Sequence, residues 1–183
     1  MLTFIVHKEL IVLGLLREGP AHGHELHRIV RAHGVLYADL KKANLYHLLA
    51  RLAEAGLLKV SAETGTRGRL GERMVYSLTA AGSRRLNALL RDVVRTYETP
   101  HSGIEVATIL MSRLGASAAL ALLRERREAV AARRAMLAQE FAGFEKRSVY
   151  SQLSAEHLTA ATDAELAWID RALARLSEER HDA

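Results

Sequence analysis

One stretch of this 183-residue chain carries polar side chains suited to contact with a nucleic acid. Lys41, Lys42, Asn44, Tyr46, His47 and Arg51 are interleaved with Leu45, Leu48, Leu49 and Leu52. The leucines recur at the spacing that buries one face of a helix, which turns the polar set outward. An Asn amide bonds adenine through two edge groups, and a Lys donates to guanine acceptors. Lys41, Lys42, Asn44 and His47, in the first two turns, are therefore candidates for base edges in a major groove. Arg51, one turn further on, is a candidate for a phosphate contact. Tyr46 either donates its hydroxyl to a phosphate or packs against the preceding helix. An exposed, solvated helix face has the same pattern, so the reading needs a second feature. That feature is the run 63–73, where Arg67, Arg69 and Arg73 alternate with Gly65, Gly68 and Gly71. Guanidinium groups on a glycine-rich ribbon can reach flanking phosphates or a minor groove.

Charge placement agrees. The net charge is +5, and residues 1–78 hold 11 Lys/Arg against 7 Asp/Glu, whereas residues 79–183 hold 15 against 14. A basic N-terminal part on a near-neutral remainder suits a polyanion-binding head on a structural body. The chain has no cysteine, which excludes disulfides, thiolate metal sites and cysteine nucleophiles and is compatible with a reducing compartment. The apolar run from Leu10 to Leu16 is flanked by Glu9 and by Arg17-Glu18, far too short for a membrane span. No signal peptide is evident, so the expected location is the cytoplasm, with no membrane partner. No glycine-rich phosphate loop, Ser/His/Asp arrangement or paired carboxylates argue for an enzyme, and no cofactor is implied.

The elements that must position these residues follow from period and punctuation. A first helix is predicted over 2–17, ended by Gly19-Pro20, and a second over 22–32, with Gly34 as a stop. A third covers 41–54, with Asp39 near its N-cap and Gly56 closing it. The period then changes to short strands at 57–61 and 74–78 around the Arg/Gly loop. Thr79 caps a long fourth helix whose apolar side is Leu86, Leu89, Leu90, Val93 and Val94. The fold class expected is mainly α with a small β wing: an N-terminal winged helix-turn-helix over 1–99 and a helical dimerisation or effector domain over 100–183, divided near Pro100. In the second part, a short helix is predicted over 104–114 and a long one from a Ser117 N-cap region to about Lys146. A connector over 148–162 and a last helix from Asp163 follow.

Leu123, Val130, Leu137 and Phe144 fall at seven-residue spacing, extended by Leu120 and Phe141 and interrupted by Arg127 and Arg134. Together with Leu166, Ile169 and Leu173 of the last helix, this seam is a candidate dimer surface. It serves equally as an intramolecular seam, in which case the two arginines pair with acids. Tyr97, Met111 and Trp168 are the large soft side chains near the domain junction and are candidates for an effector pocket, with core packing as their other use. His22, His24 and His27, with His33 beyond, have a spacing that could ligate a metal, but no clear carboxylate or thiolate completes a shell, and no metal site is assigned.

The N-terminal part resembles the PadR family of transcriptional regulators. The likeness lies in Leu13-Gly14-Leu15-Leu16, in Gly19-Pro20-Ala21-His22-Gly23-His24-Glu25-Leu26, in Asn44-Leu45-Tyr46-His47-Leu48-Leu49 with Arg51-Leu52, in Glu54-Ala55-Gly56-Leu57-Leu58, and in the run from Arg73 to Gly82. His24 and His47 depart from the family pattern, as does Ala43-Asn44. The resemblance implies a DNA-binding homodimer, usually a repressor, released from a double-stranded operator by a small-molecule effector or another signal, and paired through its C-terminal helices. A winged-helix scaffold that contacts only proteins is the alternative.

Overall fold

The computed structural model describes residues 2–33, 37, 40–63, 73–97 and 103–182. The chain forms two compact units, Met1–Glu98 and Thr99–Ala183.

The first unit runs α1 (Leu2–Arg17), β1 (Ala21–His22), α2 (Gly23–Ala32), α3 (Lys42–Glu54), β2 (Leu58–Glu63), β3 (Arg73–Leu78) and α4 (Ala80–Arg95). Its core is aliphatic: Ile11, Val12, Leu13 and Leu16 of α1 meet Leu26 and Val30 of α2, the four leucines of α3, and Leu86 and Leu89 of α4. The sets of α2, α3 and α4 recur at helical spacing, one stripe each, whereas the consecutive Ile11, Val12 and Leu13 bury α1 on more than one side, and their joint burial drives assembly. Gly56 takes a left-handed φ of 69° immediately after α3, a conformation that costs a side-chain-bearing residue about 1 kcal/mol or more, and it turns the chain into β2. The strands form an antiparallel sheet in the order β1-β3-β2, with Leu58 opposite Leu78 and Glu63 opposite Arg73. Thr79 caps α4 as expected. Its hydroxyl oxygen accepts from the Gly82 N–H at 3.0 Å and lies 2.8 Å from the Gly56 carbonyl, to which it donates. Glu9, the buried charged residue among those described, receives Arg85 at 2.8 and 3.2 Å, which ties α1 to α4.

Some expectations shift. β1 has no period to read; two residues pair with β3 through main-chain bonds (Ala21 opposite Tyr76) that only the folded chain brings together. Helix α2 begins at Gly23, and the His22 N–H donates to the Glu25 carboxylate at 2.8 Å. Lys41 is the N-cap of α3 rather than its first turn. Asp39, Gly34 and Pro100 lie outside the described residues. On α4, Leu86 and Leu89 are buried, whereas Leu90, Val93 and Val94 of the same predicted side are exposed.

The second unit is all helical: α5 (Ile104–Leu110) running into a 3-10 turn (Met111–Leu114), α6 (Ala116–Glu140), a 3-10 turn (Phe144–Lys146) and α7 (Val149–Asp182). Arg127 bonds Asp170 and Arg134 bonds Asp163, so α6 and α7 run antiparallel. Helix α6 starts after Gly115, not at a Ser117 cap, and stops at Glu140 because Gly143 turns the chain at φ 86°. Phe144 therefore leaves the α6 seam; its ring lies 4.9 Å from that of Phe141, and the Arg147 guanidinium stacks 4.2 Å over it.

The predicted connector over 148–162 is the first half of the 34-residue α7. Its serines and threonines read as breakers because such side chains compete for backbone bonds. Here they return those bonds within the helix: the Thr159 hydroxyl donates to the Ala155 carbonyl at 2.9 Å, and that of Thr162 to Thr159 at 2.8 Å. Among the described residues, no helix is long and apolar enough to cross a membrane.

Candidate nucleic-acid interface

Helix α3 is held by Leu45, Leu48, Leu49 and Leu52, all buried, which leaves Lys41, Lys42, Ala43, Asn44, His47, Ala50 and Arg51 exposed. His47 lies near the middle of the outward face, between Ala43 and Ala50; Asn44 and Arg51 flank it on one side, and Lys42 and Tyr46 on the other. Tyr46 packs against the start of α2. A Cβ placed on Gly23 would stand 2.7 Å from the Tyr46 ring, so the glycine is what lets the ring lie there. At 38% exposure, Tyr46 is both packed and reachable.

The α1 side of α3 holds a residue that the sequence pattern did not single out. A groove of about 360 Å³ is lined by Lys8 of α1 together with Asn44, His47, Leu48 and Arg51. Lys8 lies 36 residues or more in sequence from the α3 residues that line the groove, so no local spacing signals the juxtaposition. A lysine beside the buried Glu9, on a helix otherwise read as core, was the only clue.

The wing is built on the β2–β3 ladder. Arg67 and Arg69 lie outside the described residues, and Arg73 is placed by its backbone, opposite Glu63 at the loop end of the ladder. Beneath it, His22 approaches the Glu63 carboxylate through Nε2 at 3.5 Å and the Met74 carbonyl through Nδ1 at 3.3 Å, and stacks on His24. His33 bonds the Ile29 carbonyl through Nδ1 at 2.8 Å and stacks on Tyr37. Three of the four histidines, His22, His24 and His33, are thus engaged in stacking or capping; among the described residues, no group of three or more His, Asp or Glu gathers as a metal site. The Glu25 carboxyl is held below its usual range chiefly by the hydrogen bond from the His22 N–H.

In the second unit, Leu120, Leu123, Leu137, Phe141 and Ile169 are buried within a single chain by its own helices, and Val130, Phe144, Leu166 and Leu173 are half-buried. The chain's own helices cover the seam on either side of Val130. The arginines that interrupt it are paired across the hairpin: Arg127 with Asp170 at 2.6 Å, Arg134 with Asp163 at 2.7 Å, and beside them Arg126 with Glu165 at 2.7 Å. These bonds raise the Arg127 and Arg134 pKa values and lower that of Asp170. The exposed apolar side chains are others, among them Val106, Ile109, Leu110, Leu114, Leu122 and Met136.

Of the three candidates for an effector pocket, Met111 and Trp168 line one cavity of about 370 Å³, with Leu123, Leu176, Arg171 and Arg175. Tyr97 is 86% exposed at the end of α4 in the other unit and is not among the lining residues.

Residues 12–88 match the model of the Transcriptional regulator PadR-like family. No curated protein matches the chain. Among solved structures, Bacillus subtilis PadR in complex with operator DNA is similar at 19% identity and TM-score 0.72, covering 92% of this chain and 96% of that one. The same protein in complex with p-coumaric acid is similar at 18% identity and TM-score 0.74, covering 93% and 99%. A PadR-like transcriptional regulator from Bacillus cereus is similar at 15% identity and TM-score 0.63, covering 92% and 94%. At these identities the likeness establishes the shared fold.

Proposed function

We propose that this chain is a PadR-like transcriptional regulator that binds double-stranded operator DNA as a homodimer, represses from it, and is released by a small organic effector. The observation that carries the reading is the exposed polar face of α3, on which two lysines, an arginine, an asparagine and a histidine surround two alanines above a fully apolar buried face. Cations steer toward the duplex and grip phosphates, while the amide and imidazole can read base edges. The small side chains at positions 43 and 50 allow close approach to the groove floor. The first unit supplies this head and the wing; the second supplies pairing and ligand response.

Dimerisation has a physical motive. One winged helix makes few phosphate contacts, and two heads on half-sites about one helical turn apart multiply both affinity and specificity. The exposed apolar side chains of α5 and of its 3-10 extension (Val106, Ile109, Leu110 and Leu114) support pairing through the second unit. The cavity beside Trp168 supports an effector of apolar body and negative charge, because Met111, Leu123 and Leu176 line it with Arg171 and Arg175. The similarity to a PadR solved with p-coumaric acid makes that acid the first compound to try.

The test is selection of bound duplexes from a random DNA pool, followed by mobility shifts at several salt concentrations. A shared sequence with steep salt dependence is expected; binding to no duplex, with a stable protein complex instead, refutes the reading in favour of a scaffold. Sedimentation equilibrium should return twice the chain mass. Titration with p-coumarate should quench Trp168 and dissociate the selected duplex.

A further inference from the structure

We infer that the groove between α1 and α3 is a backbone-phosphate site and that Lys8 is one of the residues that hold DNA. The inference rests on the DNA-binding reading and extends it to the first helix. Lys8 and Glu9 are sequence neighbours that point to different work. Glu9 is buried against Arg85 at 2.8 and 3.2 Å, whereas Lys8 is half-buried and lines the groove with Asn44, His47, Leu48 and Arg51.

Among the described residues, no carboxylate lines this groove. Among the described residues, neither Lys8 nor Arg51 makes an ion pair, whereas Arg85, Arg126, Arg127 and Arg134 each bond an acid. Two cations, Lys8 and Arg51, held around one concavity over the apolar Leu48 repel one another, and an anion entering the groove relieves the repulsion. Asn44, His47 and Arg51 follow one line along α3 at steps of three and four residues. Seven residues of helix span roughly 10 Å, comparable to the axial rise of about three nucleotides on one strand. A sugar-phosphate backbone matches that length better than a single ion does. The groove opens on the flank of α3 and shares Asn44 and His47 with the face assigned above to base edges, so a duplex seated on that face brings its backbone to Lys8 and Arg51.

The experiment uses the full-length protein and the duplex that the wild type selects from a random pool, beside a scrambled duplex of equal length. Lys8→Met keeps the apolar stem and removes the charge; Lys8→Arg keeps the charge. Urea midpoints of both variants are compared with the wild type to verify folding. Lys8→Met is expected to lower the slope of log affinity against log salt by about one contact, so that its disadvantage at 50 mM salt shrinks roughly 3.5-fold by 200 mM. The loss should be equal on the selected and scrambled duplexes, and Lys8→Arg should restore the slope. An unchanged slope in a folded Lys8→Met variant overturns the inference while leaving the DNA-binding reading intact. A loss confined to the selected duplex also overturns it, as does stabilisation of the wild type but not Lys8→Met by inorganic phosphate with no change of slope, which assigns the groove to a free anion. A wild type that selects no duplex at all removes the DNA-binding reading itself.

Discussion

Gly82→Ala tests how the wing is joined to α4. Gly82 is the third residue of α4, and a Cβ there would stand 2.2 Å from the Leu57 carbonyl oxygen and 2.9 Å from Leu78 Cδ1. The Leu78 methyl can rotate away. The Leu57 oxygen cannot, because it accepts from the Thr79 N–H at 3.1 Å and lies 3.0 Å from the Thr79 hydroxyl. Replacing a helical glycine by alanine ordinarily stabilises by up to about 1 kcal/mol. Overpacking costs about 1–3 kcal/mol, toward the upper end where the obstacle is backbone. Displacing α4 also strains the Thr79 cap, worth about 1 kcal/mol. The net expectation is a loss of roughly 2–3 kcal/mol, a fall in Tm of about 5–10 °C for a chain of this size. Urea unfolding followed by circular dichroism measures it, with Ala88→Gly, on an exposed turn of the same helix, calibrating propensity. A Gly82→Ala protein as stable as the wild type refutes the reasoning.

Gly23→Ala should cost less stability than Gly82→Ala, since the obstructing atom belongs to the Tyr46 ring, which can turn; it should nevertheless weaken duplex binding in a filter assay, because the displaced ring lies on the exposed side of α3. Arg85→Met strands the Glu9 carboxylate, whose side chain is 9% exposed against 43% for Arg85. A loss of about 2 kcal/mol, discounted for the exposure of Arg85, should be largely recovered in the Glu9→Leu/Arg85→Met double variant, as measured by urea midpoints. Glu25 and Asp170 titrate below their usual 4.5 and 3.8 in the folded chain, chiefly through the His22 N–H and the Arg127 side chain respectively. Their contribution is therefore complete above those values and is lost as pH falls through the lower folded ones. Acid unfolding curves of Glu25→Gln and Asp170→Asn should be flatter below pH 4.5 than that of the wild type.

The N-terminal unit was legible because its signals are local. The leucine spacing of α3, the change to period two at β2, the Thr79 cap and the glycine after α3 each act within a few residues, and each is where the sequence pattern placed it. The C-terminal unit was less legible. Serine and threonine in the run 148–162 suggest a break, yet inside a helix their hydroxyls bond the preceding turn, and packing against α6 decides between the two outcomes. The seven-residue seam predicted contact but left open whether its partner was a second chain or the chain's own last helix. Arg127 and Arg134, which looked like interruptions, find Asp170 and Asp163 across the hairpin.

By itself the sequence determined the order of elements in the winged helix, its excess of positive charge and the side chains that α3 turns outward, because helical period and capping are short-range. Only the tertiary structure decided which charges meet. It turned Glu9 inward to Arg85 and left its neighbour Lys8 in a groove with Arg51, and it closed Leu123, Leu137 and Ile169 inside one chain. Those outcomes depend on which helix faces pack together, and that is set by the balance of burial and charge pairing over the whole unit rather than by any spacing along the chain.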